Sequence, residues 1–294
     1  MFSGSWVAVV TPFLNGKIDE DALVSLVNWH VEQGTDGIVA VGTTGESPTL
    51  SNEEHMRVVE ICVQASAKRI PVMAGTGSNS TDEAIALTRR AKEVGADSVL
   101  LVSPYYNKPT QDGIYLHYMA IADAVDIPQI IYNVPGRTAS RIEASTMARL
   151  AVHRNIVGVK DAVGDLNYTS ELIARTGPTF YVLSGDDSLT VPMMTLGARG
   201  VISVAANVVP SKISAMVATM SEGNVPGARA MHFELWDLMT AMFYETNPIP
   251  VKTALAMMGK IKEDFRLPLC KMSQANRERL RSVMIKMGLI PEEK

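Results

Sequence analysis

Lys160 closes the apolar run Ile156-Val157-Gly158-Val159 and is followed at once by Asp161. An ammonium group at the end of a buried strand has two readings. The strand can simply emerge into water there, with the lysine stem lying along apolar surface. Alternatively the amine is a reagent, because burial disfavours its charged form and the neutral amine attacks ketones to form a Schiff base. Imine formation moves protons, and the hydroxyls of tyrosine and threonine can carry them because each both donates and accepts. Such residues follow other apolar runs, in Gly42-Thr43-Thr44-Gly45-Glu46, in Pro104-Tyr105-Tyr106-Asn107, and in Tyr132 with Asn133-Val134-Pro135-Gly136-Arg137. A Gly-Thr-Thr-Gly turn lets backbone N–H groups converge on a carboxylate. Arg137 can grip a second carboxylate with its planar fork. Together these residue types suit a small keto acid reacting with a second acidic substrate. Singly, each also has a plain structural reading: Tyr132 as core packing, Arg137 as a solvated loop charge, Gly75-Thr76-Gly77 as an ordinary turn. The functional case rests on their conjunction.

The elements that must position these residues are short and regular. Eight runs read as strands: Trp6–Val10, Gly37–Val41, Pro71–Ala74, Ser98–Val102, Gln129–Tyr132, Ile156–Val159, Tyr181–Leu183 and Gly200–Val204. Each is apolar almost throughout, as strands buried on both faces of a parallel sheet are. Helical spacing fills the gaps between them, with Leu23, Leu26, Val27, His30 and Val31 ending at Gly34. Ser51 with Glu54, and Ser80 with Glu83, have capping-box spacing. Eightfold strand–helix alternation predicts an α/β fold of the (β/α)8 TIM-barrel type, and barrels of this type carry their sites at the carboxyl ends of the strands. A doubly wound dinucleotide-binding sheet is disfavoured, since no G-x-G-x-x-G follows the first strand. After Val204 only helical patterns remain, over Ser211–Ser221, Ala228–Phe243, Val251–Lys260 and Gln274–Met287. The expected organisation is a catalytic barrel over residues 1–224 and a C-terminal helical region over 225–294.

Other function classes fit poorly. A net charge of −4 with no Lys/Arg-rich patch argues against nucleic acid as a partner. No apolar segment approaches the ~20 residues needed to span a bilayer, and the N-terminus lacks the basic start of a secretory signal. Cys62 and Cys270 lie far apart without ligand spacing, which suits idle thiols in a reducing compartment and a location in the cytoplasm or an organelle stroma. The histidines, His30, His55, His117, His153 and His232, show no paired-ligand spacing, so no metal site is expected. Asp186 and Asp187 after the seventh strand would repel the phosphate that many barrels bind there.

The motifs GTTGE, PYYNKP, YNVPGRT, GVKDA and SGDD, in that order, resemble the dihydrodipicolinate synthase family. These are class I aldolase-type lyases of the N-acetylneuraminate lyase superfamily. The likeness runs from Ala8-Val9-Val10-Thr11-Pro12 to Asn247-Pro248-Ile249-Pro250-Val251-Lys252. The resemblance implies that Lys160 condenses with pyruvate and that Thr43, Tyr106 and Tyr132 relay protons, Tyr106 in the neighbouring subunit's site. It implies that Thr44 with Thr43 holds the pyruvate carboxylate through backbone N–H groups. Arg137 would hold the carboxylate of L-aspartate-4-semialdehyde, with Gly185 and Ile202 lining the pocket. No cofactor is implied, because the iminium is itself the electron sink. A homotetramer built as a dimer of dimers is implied too. Many members are inhibited by L-lysine, and Ser47, His55, Asn79, Glu83 and Tyr105 match positions of that effector site. Asn52 and Pro48 depart from the histidine and alanine that several lysine-sensitive members carry. A sister aldolase joining pyruvate to a sugar acid is the neighbouring reading, and NVPGRT argues against it.

Overall fold

The computed structural model describes residues 2–292. Eight parallel strands close into a barrel: β1 (Gly4–Ala8), β2 (Gly37–Ala40), β3 (Val72–Gly75), β4 (Ser98–Val102), β5 (Gln129–Asn133), β6 (Ile156–Asp161), β7 (Tyr181–Ser184) and β8 (Gly200–Ser203). All eight match the runs read from the sequence to within two residues at each end. The largest offset is in β1, which begins at Gly4 because Gly4 pairs with Gly200 at the closing seam. Val9 and Val10 lie beyond the regular ladder but stay bonded, Val9 N–H to the Val39 carbonyl at 3.1 Å and Val10 N–H to Asn207 Oδ1 at 3.2 Å. A two-residue hairpin, Phe13–Leu14 with Lys17–Ile18, precedes the first helix. The sequence reading missed it, although Asn15-Gly16 supplies the left-handed residues a tight hairpin turn needs.

Eight helices form the outer ring: α1 (Glu20–Glu32), α2 (Asn52–Ser66), α3 (Thr81–Glu93), α4 (Gln111–Ala124), α5 (Ala144–Leu150), α6 (Leu166–Thr176), α7 (Thr190–Leu196) and α8 (Pro210–Ser221). The Ser51–Glu54 pair forms a full capping box, with bonds of 3.2 and 3.0 Å. At the start of α3 only half of the box forms. Ser80 Oγ accepts from Glu83 N–H, but Ser78 Oγ takes the Glu83 carboxylate and also accepts from Ser80 N–H at 3.1 Å. Ser78 thus competes successfully for the acid that would otherwise reach back to Ser80.

Side-chain alternation splits the buried apolar residues into two clusters. Trp6, Ala8, Val39, Met73, Leu100, Ile130, Tyr132, Leu183 and Ile202 fill the barrel interior. Val7, Ile38, Val99, Ile131, Val159 and Val201 face outward and pack under the helices. Lys160 pairs across the ladder with Tyr132, and Gly158 with Ile130. Lys160 therefore has the inward parity.

Three further helices follow, α9 (Val225–Ala241), α10 (Ile249–Met257) and α11 (Gln274–Lys286). The 224/225 division falls in the turn between α8 and α9. Leu235, Leu238, Val251, Leu255 and Leu280 join the same apolar cluster as the barrel's outer face. Arg266 adds a polar staple: its guanidinium grips the Glu54 carboxylate with bonds of 2.6 and 2.7 Å and reaches the Gly16 and Thr49 carbonyls. That pairing pulls the Glu54 carboxyl down to about 2. No helix among the described residues is long and apolar enough to cross a membrane.

Close backbone approach between β2 and β3 rests on Gly75. A Cβ there would lie 2.4 Å from the Val41 carbonyl oxygen, which the backbone cannot vacate locally. Gly75→Ala is expected to destabilise the fold by about 1–3 kcal/mol, the usual cost of overpacking. A urea-unfolding midpoint equal to that of the parent would contradict this.

A lysine-centred candidate active site

Strand alternation sends the Lys160 side chain into the carboxyl-end rim of the barrel, where it is only 5% exposed. The exit-to-water reading is thereby set aside. Its neighbour in register, Tyr132, presents its ring so that Lys160 Nζ lies 4.4 Å from the centroid. On the other side, β7 ends at Ser184 and Gly185 turns past the lysine stem. A Cβ at Gly185 would stand 3.1 Å from Lys160 Cε and 2.7 Å from Ala162 Cβ, so this position has to be bare for the stem to pass. Ile202, wholly buried on β8, belongs to the apolar floor beneath.

Burial is the main force on the amine, pushing Lys160 down to about 8. Asp187 opposes that shift and Arg137 reinforces it. At pH 7 an amine with that value is neutral in about one molecule in ten, against about one in three thousand for a free lysine. The gain in reactive amine is therefore about 300-fold. Tyr132 is pushed the other way, up from the ordinary phenol value by burial, with Arg137 and the neighbouring Thr43 hydroxyl offsetting part of the rise. It remains a neutral phenol that can both give and accept a proton.

Thr43, Thr44 and Gly45 form a single 3-10 turn, closed by Gly45 N–H to the Gly42 carbonyl at 3.0 Å and Glu46 N–H to the Thr43 carbonyl at 3.1 Å. Amides at the start of such a turn have no partner within it, so those of Thr43 and Thr44 are available to an anion. The turn is entered through Val41, held at φ 55, a left-handed conformation costly for a β-branched residue. Arg137 lies on the short helical turn Pro135–Thr138, exposed at the mouth, and donates to the Asn247 carbonyl at 3.4 Å.

Tyr106 does not join this group. It is 90% exposed, at φ 73, on a loop secured to the next one by Asn79, whose amide donates to the Tyr105 carbonyl at 3.1 Å and whose carbonyl accepts from Asn107 at 2.9 Å. The remaining effector candidates stand around that loop or below it. His55 is buried with Nε2 2.7 Å from the Gly75 carbonyl, and the charge of the exposed Glu83 acts on its ring. Ser47 is half-buried and Tyr105 39% exposed.

The chain matches the dihydrodipicolinate synthetase family over residues 1–287. It is 57% identical over 290 residues to the 4-hydroxy-tetrahydrodipicolinate synthase of Thermodesulfovibrio yellowstonii, covering 99% of this chain and 100% of that one. The chain belongs to the dihydrodipicolinate synthetase family. The crystal structure of dihydrodipicolinate synthase from Aquifex aeolicus superposes with a TM-score of 0.98 at 52% identity, over 99% of this chain and 100% of that one. A chloride-inhibited dihydrodipicolinate synthase from Acinetobacter baumannii, complexed with pyruvate, superposes with a TM-score of 0.97 at 49% identity, over 99% and 100% of the two chains.

Several residues beside the lysine escaped the sequence reading. Asn247, 5% exposed, donates to Thr44 Oγ1 at 3.0 Å while its carbonyl receives Arg137, so one residue bonds both the Thr43–Gly45 turn and Arg137. Glu46 forms a fully buried ion pair with Lys252. Asp187, read from sequence only as a charge that would repel a phosphate, is 2% exposed and turned inward. Its carboxylate accepts from Ser203 Oγ, from Val204 N–H at 3.0 Å and from Ala205 N–H at 2.9 Å. No local spacing signals these contacts, which join residues 16 to 206 positions apart. Asn247 and Lys252 did stand inside a motif that the sequence reading quoted.

The rate at which borohydride traps a keto-acid adduct on Lys160 is expected to climb with pH through a midpoint near about 8. The sign follows from loss of the ammonium proton as pH rises. An ascending limb centred above pH 10 would show that burial does not lower the amine as described.

Proposed function

We propose that the chain condenses pyruvate with L-aspartate-4-semialdehyde through a Schiff base on Lys160, yielding 4-hydroxy-tetrahydrodipicolinate in the diaminopimelate route to lysine. The observation that carries this reading is a desolvated amine at the rim of the barrel, stacked on the Tyr132 ring in a chain of this family. Neutral Lys160 attacks the pyruvate ketone and water leaves. The iminium loses a methyl proton and becomes an enamine, whose carbon attacks the aldehyde of the second substrate. The amino group of that substrate then displaces the lysine and closes the ring. Tyr132 and Thr43, adjacent in the site, pass the protons. The Thr43 and Thr44 amides hold the pyruvate carboxylate, and Arg137 at the mouth takes the carboxylate of the semialdehyde. Gly185 and Ile202 shape the wall and floor around the bound keto acid.

Tyr106, extended into solvent on its latched loop, is assigned to the site of a neighbouring subunit in a homotetramer built as a dimer of dimers. The reaction needs only small polar substrates and no cofactor, and it is placed in the cytoplasm. L-lysine is proposed as an effector that binds at Ser47, His55, Asn79, Glu83 and Tyr105. Supporting this are the Asn79–Tyr105 tie and the charge coupling of Glu83 to His55.

Incubation with pyruvate and borohydride is expected to leave a reduced adduct on Lys160, visible by mass spectrometry, and the enzyme is expected to consume aspartate semialdehyde alongside. An adduct without condensation would point to a sister aldolase, and no adduct would refute the Schiff-base mechanism. Arg137→Ala is expected to raise KM for the semialdehyde roughly 30-fold or more, as loss of a charge-paired contact does, and to weaken use of pyruvate far less. Equal loss for both substrates would refute the assigned role. Titration with L-lysine into the millimolar range is expected to lower the rate, and a flat response would remove the effector.

A further inference from the structure

Glu46 has no part in the chemistry described above, although it ends the GTTGE motif. It sits at φ 55 directly after the Thr43–Gly45 turn, and its N–H closes that turn. Its side chain does not reach solvent. It pairs with Lys252 on α10, and both side chains are 0% exposed. The second Glu46 oxygen receives Arg266 N–H at 3.4 Å. The rings of Phe13 and Phe265 flank the ammonium, at 4.4 and 5.0 Å from Nζ. Five residues earlier, Asn247 ties the same turn through Thr44 Oγ1. The segment 247–252 therefore grips the turn at two points.

A buried ion pair is a poor stabiliser, since its desolvation cost about cancels the attraction, and an apolar pair of the same volume does as well. What an apolar pair lacks is direction. A hydrogen-bonded carboxylate and ammonium meet in one geometry, whereas methyl groups slide past one another. We propose that Glu46 and Lys252 are positioning residues for the keto-acid substrate, their buried pair locking the Thr43–Gly45 turn so that its amides keep facing the substrate carboxylate. The proposal rests on the assignment of that turn to pyruvate. It predicts that the pair governs the first substrate and leaves the second, held by Arg137, largely unaffected.

The test uses Glu46→Gln, Lys252→Met and the double variant Glu46→Leu/Lys252→Met, with the wild-type enzyme alongside. Borohydride trapping on Lys160 is followed against pyruvate concentration, and KM for the semialdehyde and the thermal midpoint are measured in parallel. Half-saturating pyruvate is expected to rise about tenfold or more in each variant, with the limiting trapping rate and the semialdehyde KM within about threefold of wild type. The double variant is expected to melt within a few degrees of wild type, as apolar replacement of a buried pair allows. A folded double variant with wild-type pyruvate saturation would overturn the proposal, as would a common proportional loss in every parameter. Where the double variant does not fold, Glu46→Gln, which keeps the shape of the side chain, decides by the same criteria. Absence of an adduct in the wild type would overturn the pyruvate assignment and this proposal with it. An adduct in the wild type with unaltered variants overturns this proposal alone.

Discussion

A lysine amine becomes a nucleophile only after it has lost its proton, and in water at neutral pH almost none has. Everything around Lys160 follows from that constraint. The barrel answers it by dehydration: the side chain is directed inward by the strand period, between Tyr132 and Leu183 in register, and is 5% exposed. Full desolvation would drive the group further than is useful, since a strongly depressed amine is also a weaker nucleophile and a poorer carrier of the iminium charge. Two fixed charges trim the effect in opposite directions. Asp187 steadies the ammonium and Arg137 disfavours it, which leaves the value near about 8.

Asp187 can act in this way only because it is itself fully committed. Three donors from the start of the β8 loop hold its carboxylate, so it lies under the rim and cannot swing out to meet solvent or substrate. Burial raises its own proton affinity, and the Ser203 hydroxyl with the Ala205 and Val204 amides work against that rise. The seventh and eighth loops are thereby joined by the same carboxylate that biases the lysine. Loop geometry and amine chemistry share one group, which is economical but leaves little freedom at position 187.

How much of this was legible in the sequence depended on the range of the interaction. The eight strands were legible because burial on both faces leaves nearly uninterrupted apolar runs, and Lys160 stood out as the one cation ending such a run. Period-two alternation from Gly158 to Lys160 even carried the inward parity, though only pairing with Ile130 and Tyr132 fixed which side was inward. The capping pattern at Ser80 marked the helix start correctly, and only its reciprocal bond is replaced, because Ser78, two residues earlier, bonds the Glu83 carboxylate. The burial of Asp187 was not legible, because its partners at 203–205 have no local signature. Glu46 with Lys252 and Thr44 with Asn247 are over 200 positions apart, and no periodicity links them.

Those long-range contacts also revise the view of the C-terminal region. In composition it reads as a helical appendage, yet Asn247, just before α10, and Lys252, in its first turn, both tie to the Thr43–Glu46 segment at the rim of the barrel. Arg137, on the opposite lip, donates to the same Asn247. The two elements assigned to the two substrates come from β2 and β5, strands that do not touch one another in the barrel. In the barrel they are linked through β3 and β4. The segment from Asn247 to Lys252 adds a bridge outside the sheet, since Asn247 bonds to Thr44 and receives Arg137, and Lys252 pairs with Glu46. A barrel truncated after α8 would lose that bridge together with Leu235, Leu238, Val251, Leu255 and Leu280 of the shared apolar cluster.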